Sequence, residues 1–193
     1  MPTPLTQRLP RDFFDTAEPF KLDGVYCKLI PLTRGQFALV WLEHYERLSK
    51  ETWCAQWNPC TRSFYAARQK KISGRRVNLC FLMHREILGL AHGDKRQSDH
   101  ALHVTLDNRP FAGEVANLRI ASQEQNKCNK RKYRNNLSGF KGIRLTASGK
   151  YEARIRKNGI LRGLGHRDTA EAAHRELYVP AALKLHGEFA RVA

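Results

Sequence analysis

Between Phe140 and His166 the chain spells out three short runs, FKGIRLT, KYEARIRKN and ILRGLGH, broken at Ala147-Ser148-Gly149 and at Lys157-Asn158-Gly159. In the middle run a period of two sends Tyr151, Ala153 and Ile155 to one side and Glu152, Arg154 and Arg156 to the other. Asn-Gly is the strongest short-range hairpin signal. Such a segment has few choices beyond an antiparallel sheet with one covered and one open face. The cover follows directly. Asp168 and Glu171 form a capping-box pattern, and Ala170, Ala173, Leu177, Ala181 and Leu185 share one side of the helix it would start. Gly187 is the expected stop, and Pro180 is expected to remove one hydrogen bond and kink the helix.

The remaining sequence is less regular. Residues 1–20, with three prolines in the first ten positions, read as a disordered or extended lead-in. From Lys21 to Leu90 short strands are expected: VYCKLIPL, QFALVWL, and a hairpin around Ser73-Gly74. A polar loop follows from Ala91 to Ser98. Ser122 and Gln125 form a second capping box, opening a helix through QEQNKCNKRKYR. The expected fold class is α+β, with a lead-in over 1–20, one domain over 21–135 and a second over 136–193. A chain of 193 residues suits one large domain or two small ones.

Charge narrows the partners. Thirty-four Lys and Arg against 18 Asp and Glu give a formal net charge of +16. Self-repulsion on that scale favours a polyanionic partner. No run of about 18 apolar residues is present, and MPTPLTQRLPRDFFD is no secretory signal, so the expected location is cytoplasmic. An RNA- or ribosome-binding role has only the charge in its favour, because the aromatic stacking strands of common single-strand readers are missing. The five cysteines show no tight pairing. Cys54, Cys60, Cys80 and His84 as a zinc site lack the usual C-x2-C knuckle, and small half-buried hydrophobes are the better reading.

A second pattern lies in Ser98-Asp99-His100, Leu106-Asp107-Asn108-Arg109, Asn117-Leu118-Arg119 and Gln123-Glu124-Gln125-Asn126, preceded by Met83-His84-Arg85-Glu86-Ile87-Leu88-Gly89. This ordered set resembles the HNH endonucleases of phages and introns over about residues 25–135. The resemblance implies a ββα-metal fold. It implies that His100 is the general base, that Asn117 orients its imidazole through the side-chain carbonyl, and that Asp99 and Asn126 hold a divalent metal ion, Mg2+ or Mn2+. Hard oxygen ligands with open positions suit those ions better than zinc. Two departures are evident. Ala101-Leu102-His103-Val104 is more apolar than the family's loop, and residues 110–115 read as an insertion ahead of Asn117.

The C-terminal runs, with Ser138-Gly139, Leu164-Gly165, Thr169 to Ala173 and His186 to Ala190, resemble the APETALA-type (ethylene-response-factor) DNA-binding domain over about 136–193. That resemblance implies a three-stranded antiparallel sheet on one helix, laid on double-stranded DNA. It points to Lys141, Arg144, Lys150, Tyr151, Arg154, Arg156 and Arg162 as DNA contacts, with Tyr151 where the family more often has tryptophan. Together the two likenesses imply a site-specific DNA endonuclease of homing type, monomeric or weakly dimeric, in a bacterial or phage-infected cell. The alternative is a decayed nuclease that acts as a DNA-binding regulator.

Overall fold

The computed structural model describes residues 11–71, 79–110 and 117–192. It is a mixed α+β protein of small sheets and short helices, in two compact units, 1–120 and 121–193.

In the first unit β1 (Phe20–Leu22), β2 (Val25–Pro31) and β3 (Phe37–Trp41) form one antiparallel sheet, and β4 (Cys54–Asn58), β5 (Ser63–Lys70) and β6 (Leu79–Leu82) another. Their covered faces alternate as a strand requires. Ile30, Ala38, Val40, Ala55 and Ala66 join one core with Tyr45, Leu48, Trp53 and Met83. The β5–β6 pairing agrees with the expected hairpin, whose Ser73-Gly74 turn lies outside the described residues.

Two helices in this region were not expected from the sequence, α2 (Leu42–Ser49) and α3 (Met83–Ile87). In α2 the buried spacing changes from two to three, through Tyr45 and Leu48, directly after β3. The lead-in expectation also needs correction. Arg11–Thr16 forms a helix, α1, with Phe14 buried. The Tyr45 hydroxyl ties it down by donating to the Phe14 carbonyl at 3.1 Å and to Asp15 Oδ1 at 2.9 Å.

The compact units divide at 120/121 rather than 135/136. The reason is α4 (Gln123–Cys128), whose bonds run to the C-terminal residues. Cys128 Sγ lies 3.3 Å from His186 Nδ1, Lys141 Nζ donates to the Cys128 carbonyl, and Glu124 Oε1 accepts from the Asn158 amide at 2.5 Å. The Ser122–Gln125 capping box is present. The helix ends at Cys128 instead of continuing to Arg134. Lys127, Lys130, Arg131 and Arg134 would otherwise meet as like charges three and four residues apart.

In the same unit β9 (Ile143–Leu145), β10 (Tyr151–Lys157) and β11 (Ile160–Arg167) form an antiparallel sheet in the order β11-β10-β9. Asn158 and Gly159 both take positive φ, as the tight hairpin demands. A continuous helical stretch covers the sheet: α5 (Ala170–Ala172), a π-helical segment (Ala173–Tyr178) and α6 (Val179–His186). Ile143, Ala153, Ile155, Ala173, Tyr178 and Ala182 form its core. The N-cap is Thr169, whose hydroxyl accepts from the Ala172 amide, and not Asp168 as the sequence pattern suggested. The π segment ends two residues before Pro180, where an α-helix would lack a donor, and the widened turn accommodates that loss. Gly187, at φ +53°, ends α6. Gly142 is the most crowded of the described glycines: a Cβ there would sit 2.2 Å from the Tyr178 ring.

Candidate functional site: a buried Asp-His strand and a basic sheet face

Asp99 and His100 end β7 (Gln97–His100), which pairs with β8 (Leu118–Ala121). Both side chains are buried, Asp99 at 4% and His100 at 8% exposure. They follow the strand's alternation. Asp99 meets Arg119 across the pair, its Oδ2 accepting from Nε and Nη2, each at 2.8 Å. The His100 ring lies edge-on to His84, with centroids 5.0 Å apart, and 5.7 Å from Tyr65. Burial pushes His100 down to about 4, against the Asp99 and Asp107 carboxylates and the Asn108 carboxamide, which raise it. Burial also holds His84 well below the ordinary imidazole range, reinforced by His100 and Arg85. Both histidines are therefore neutral at pH 7.

Asn117 is fully buried at the head of β8. Its Nδ2 donates to the carbonyls of Val104 and Asp107, both at 2.6 Å, and its Oδ1 accepts from the Leu102 amide at 2.8 Å. It was expected to turn its carbonyl to the His100 imidazole. Its observed work is to pin the 102–107 loop that leaves His100. The loop is fixed at its far end too. The Leu39 amide donates to Leu106 O at 2.9 Å, and the Asn108 amide donates to Leu39 O at 2.8 Å. Asp107 forks onto Arg109, which also reaches Asp23 at 2.7 Å.

Most of the expected insertion, residues 111–115, lies outside the described residues. Its two ends are joined: the amides of Asn117 and Leu118 both donate to Arg109 O, at 3.1 and 2.8 Å. An excursion closed in this way need not displace Asn117, since closing a loop costs little more as it lengthens. Asn126 lies in α4, in the other unit.

The four zinc candidates form no such site. Cys54 Sγ donates to Ala67 O and Cys80 Sγ points to Gln56 Oε1. No group of three or more His, Cys, Asp or Glu that could hold a metal occurs among the described residues.

In the C-terminal unit the register decides which basic residues share the open face. Residues directly opposite in an antiparallel pair point the same way. Glu152 faces Arg144 and His166, Arg154 faces Gly163, and Arg156 faces Leu161. The open face thus carries Arg144, Arg154 and Arg156, the first two beside Glu152 and the third donating to the Gly159 carbonyl at 2.7 Å. Glu152 binds Arg144 at 2.6 Å and Arg154 at 3.8 Å, which holds its own pKa below the usual carboxylate range.

Three expected DNA contacts lie elsewhere. Lys141 is half-buried, bonds to the Cys128 carbonyl and is pushed down to about 8 by burial. Tyr151 packs against the sheet–helix core. Arg162 is exposed but pairs with Ile155, on the opposite side from Arg154. Lys150 is exposed, 3.8 Å from Asp168. Arg119 had no role in the sequence reading. Its place in Asn-Leu-Arg, two residues after Asn117 on a paired strand, was the available signal. Compared with known proteins, the chain matches no protein-family model, no curated protein and no solved structure.

Proposed function

We propose that this chain is a site-specific, metal-dependent endonuclease of double-stranded DNA, HNH-like in its first unit and APETALA-like in its second, acting in the cytoplasm of a bacterial or phage-infected cell. The observation that carries this reading is the β7–β8 pair, which gathers Asp99, His100 and Asn117 around one short strand end. The motif order then continues into the capped helix that bears Asn126.

Phosphodiester hydrolysis needs an activated water and relief of negative charge on the leaving oxygen. His100 is neutral at physiological pH, the form in which an imidazole nitrogen accepts the water's proton. Asn117 keeps the strand end and its loop in place. Of the expected metal ligands, Asp99 offers a buried carboxylate, the hard oxygen donor that Mg2+ or Mn2+ prefers, and it is paired with the Arg119 guanidinium. A bound Mg2+ or Mn2+ would stabilise the charge on the leaving oxygen. Arg144, Arg154 and Arg156 supply the address, since arginine reads guanine edges in the major groove and binds phosphates.

The test uses supercoiled plasmid carrying candidate sites, with Mg2+ or Mn2+, with EDTA, and with His100→Ala. Nicking that needs metal and disappears with His100→Ala is the expected result. Cleavage equal in every arm, or none on a site the protein binds tightly, refutes the nuclease. The second of these outcomes leaves a decayed nuclease acting as a DNA-binding regulator. The Asp99–Arg119 ion pair favours that second reading, because it engages the presumed metal ligand.

A further inference from the structure

A denser run of cations than the sheet face lies just ahead of it in the chain. From Gln125 to Tyr151 there is no Asp or Glu, while Lys127, Lys130, Arg131, Lys132 and Arg134 fall within ten residues of one another. All five side chains are exposed. We infer that residues 127–134 form a second DNA-contacting arm, which holds duplex phosphates beside the stretch met by the sheet and does not read their sequence. This rests on the DNA-binding part of the reading above and not on cleavage.

The arm is short of anions. No ion pair among the described residues engages any of the five, and Lys132 Nζ donates to a neutral acceptor, the Gly139 carbonyl. Arg131 neighbours another guanidinium, Arg191, whose Nε is buried with no hydrogen-bond partner among the described residues. Burial and Arg131 together hold Arg191 below its ordinary range. The arm is also held in place. Lys141 anchors the Cys128 carbonyl at its start. The Asn136 amide donates to Tyr133 O at 3.1 Å, Asn136 Nδ2 to Phe140 O at 2.9 Å, and Ser138 Oγ to Ile143 O, in the edge strand β9, at 2.9 Å. Cations presented from a fixed backbone need less ordering when they bind. The same features choose the polyanion. Tyr133, at 81% exposure, is the one aromatic in the run, whereas single-strand grooves stack successive bases on several. A membrane-surface helix would set its cations opposite an apolar face, but the helix stops at Cys128. The closely spaced phosphates of a duplex match a compact cationic run.

Fluorescence-anisotropy titrations of a random-sequence duplex between about 50 and 200 mM salt test this, comparing the wild type with Lys127→Gln/Lys130→Gln/Arg131→Gln/Arg134→Gln. Lys132 is left alone because its carbonyl bond supports the arm. The slope of log affinity against log salt should become shallower by about 3–4 in the variant, so that the wild type loses roughly a hundredfold more affinity across that range. If hydrogen exchange at the β10 amides shows the quadruple variant unfolded, Arg131→Gln/Arg134→Gln takes its place, with an expected change of about 2. Equal slopes in wild type and folded variant overturn the arm and leave the sheet face standing. No duplex binding by the wild type at about 50 mM salt overturns both. Arm-dependent binding that is tighter to single strands, or to phosphatidylglycerol vesicles, than to duplex overturns the choice of partner. Phosphate contacts are blind to sequence, so the ratio of affinities for a selected duplex and its scrambled form should be the same in wild type and variant. A ratio that collapses in the variant overturns the phosphate assignment.

Discussion

Gly142 offers the most direct check on the C-terminal unit. Its φ of +75° places it in the left-handed region, and a Cβ would lie 2.2 and 2.3 Å from two Tyr178 ring carbons and 2.8 Å from the Arg154 carbonyl oxygen. Gly149 has nearly the same φ, +78°, but nothing within 4 Å of a Cβ. Alanine at either position pays the backbone term, about 1–2 kcal/mol. Only at Gly142 is there an overpacking term as well, about 1–3 kcal/mol. Gly149→Ala should therefore cost about 1–2 kcal/mol and Gly142→Ala about 2–5 kcal/mol. Hydrogen exchange at the β10 amides of Ala153 and Ile155 reads this unit alone, which matters because all three tryptophans lie in the first unit. In a Tyr178→Ala background the excess at Gly142 should shrink, since the ring supplies its two closest contacts. A Gly142→Ala protein within about 0.5 kcal/mol of Gly149→Ala, below the usual size of an overpacking penalty, would refute the packing of Tyr178 over β9 and β10.

Three further outcomes are expected. Glu152→Gln, which removes the carboxylate paired with Arg144 and Arg154, should tighten duplex binding about three- to tenfold at low salt, an effect fading as salt screens it; unchanged or weaker binding in a fluorescence-anisotropy titration counts against DNA on this face. Asn117→Ala removes the side-chain partner of the Leu102 amide and of the Asp107 carbonyl, each loss worth about 1–3 kcal/mol, and one of the two donors to the Val104 carbonyl, so urea denaturation followed by tryptophan fluorescence should show a drop of several kcal/mol. Burial lowers the folded-state pKa of His100 from its usual 6.5 to about 4 and that of His84 in the same direction, so the stability tied to their neutral forms is complete above pH 6.5 and is lost as pH falls toward 4. For His100 alone the shift amounts to about 3 kcal/mol; first-unit stability that is flat or rising from pH 7 to pH 4.5 would contradict this burial.

The sequence was most legible where a single period governs burial. In Tyr151–Lys157, Ala153 and Ile155 had to be covered once the strand formed, and they are. The Asn-Gly hairpin and the Ser122 cap were equally plain, because each rests on local backbone chemistry. What stayed hidden depends on pairing. The sides taken by Arg144 and Arg162 follow from strand register, and the β10–β11 register shifts between Ala153 and Arg154, an irregularity that no residue pattern announced. Lys141 looks like any surface lysine until α4 is found on the same unit, presenting its last carbonyl to the ammonium group. Arg119 acquires a partner only because β8 runs beside β7. The helices α2 and α3 were missed because each is short and starts directly at the end of an apolar strand, where a window sees one continuous hydrophobic run.

The π-helical segment before Pro180 gives the end of the chain something like a reading frame. Each residue of an α-helix advances the side chain by about 100°, so removing one residue from Ala173–Tyr178 would rotate everything after it by about that angle. Ala182 and Leu185 would swing off the sheet, and two of their neighbours would be brought to face it. Substitutions in α6 can thus be judged one position at a time. A single deletion upstream acts on the whole apolar face at once, and relatives of this chain should vary in the composition of that segment more readily than in its length.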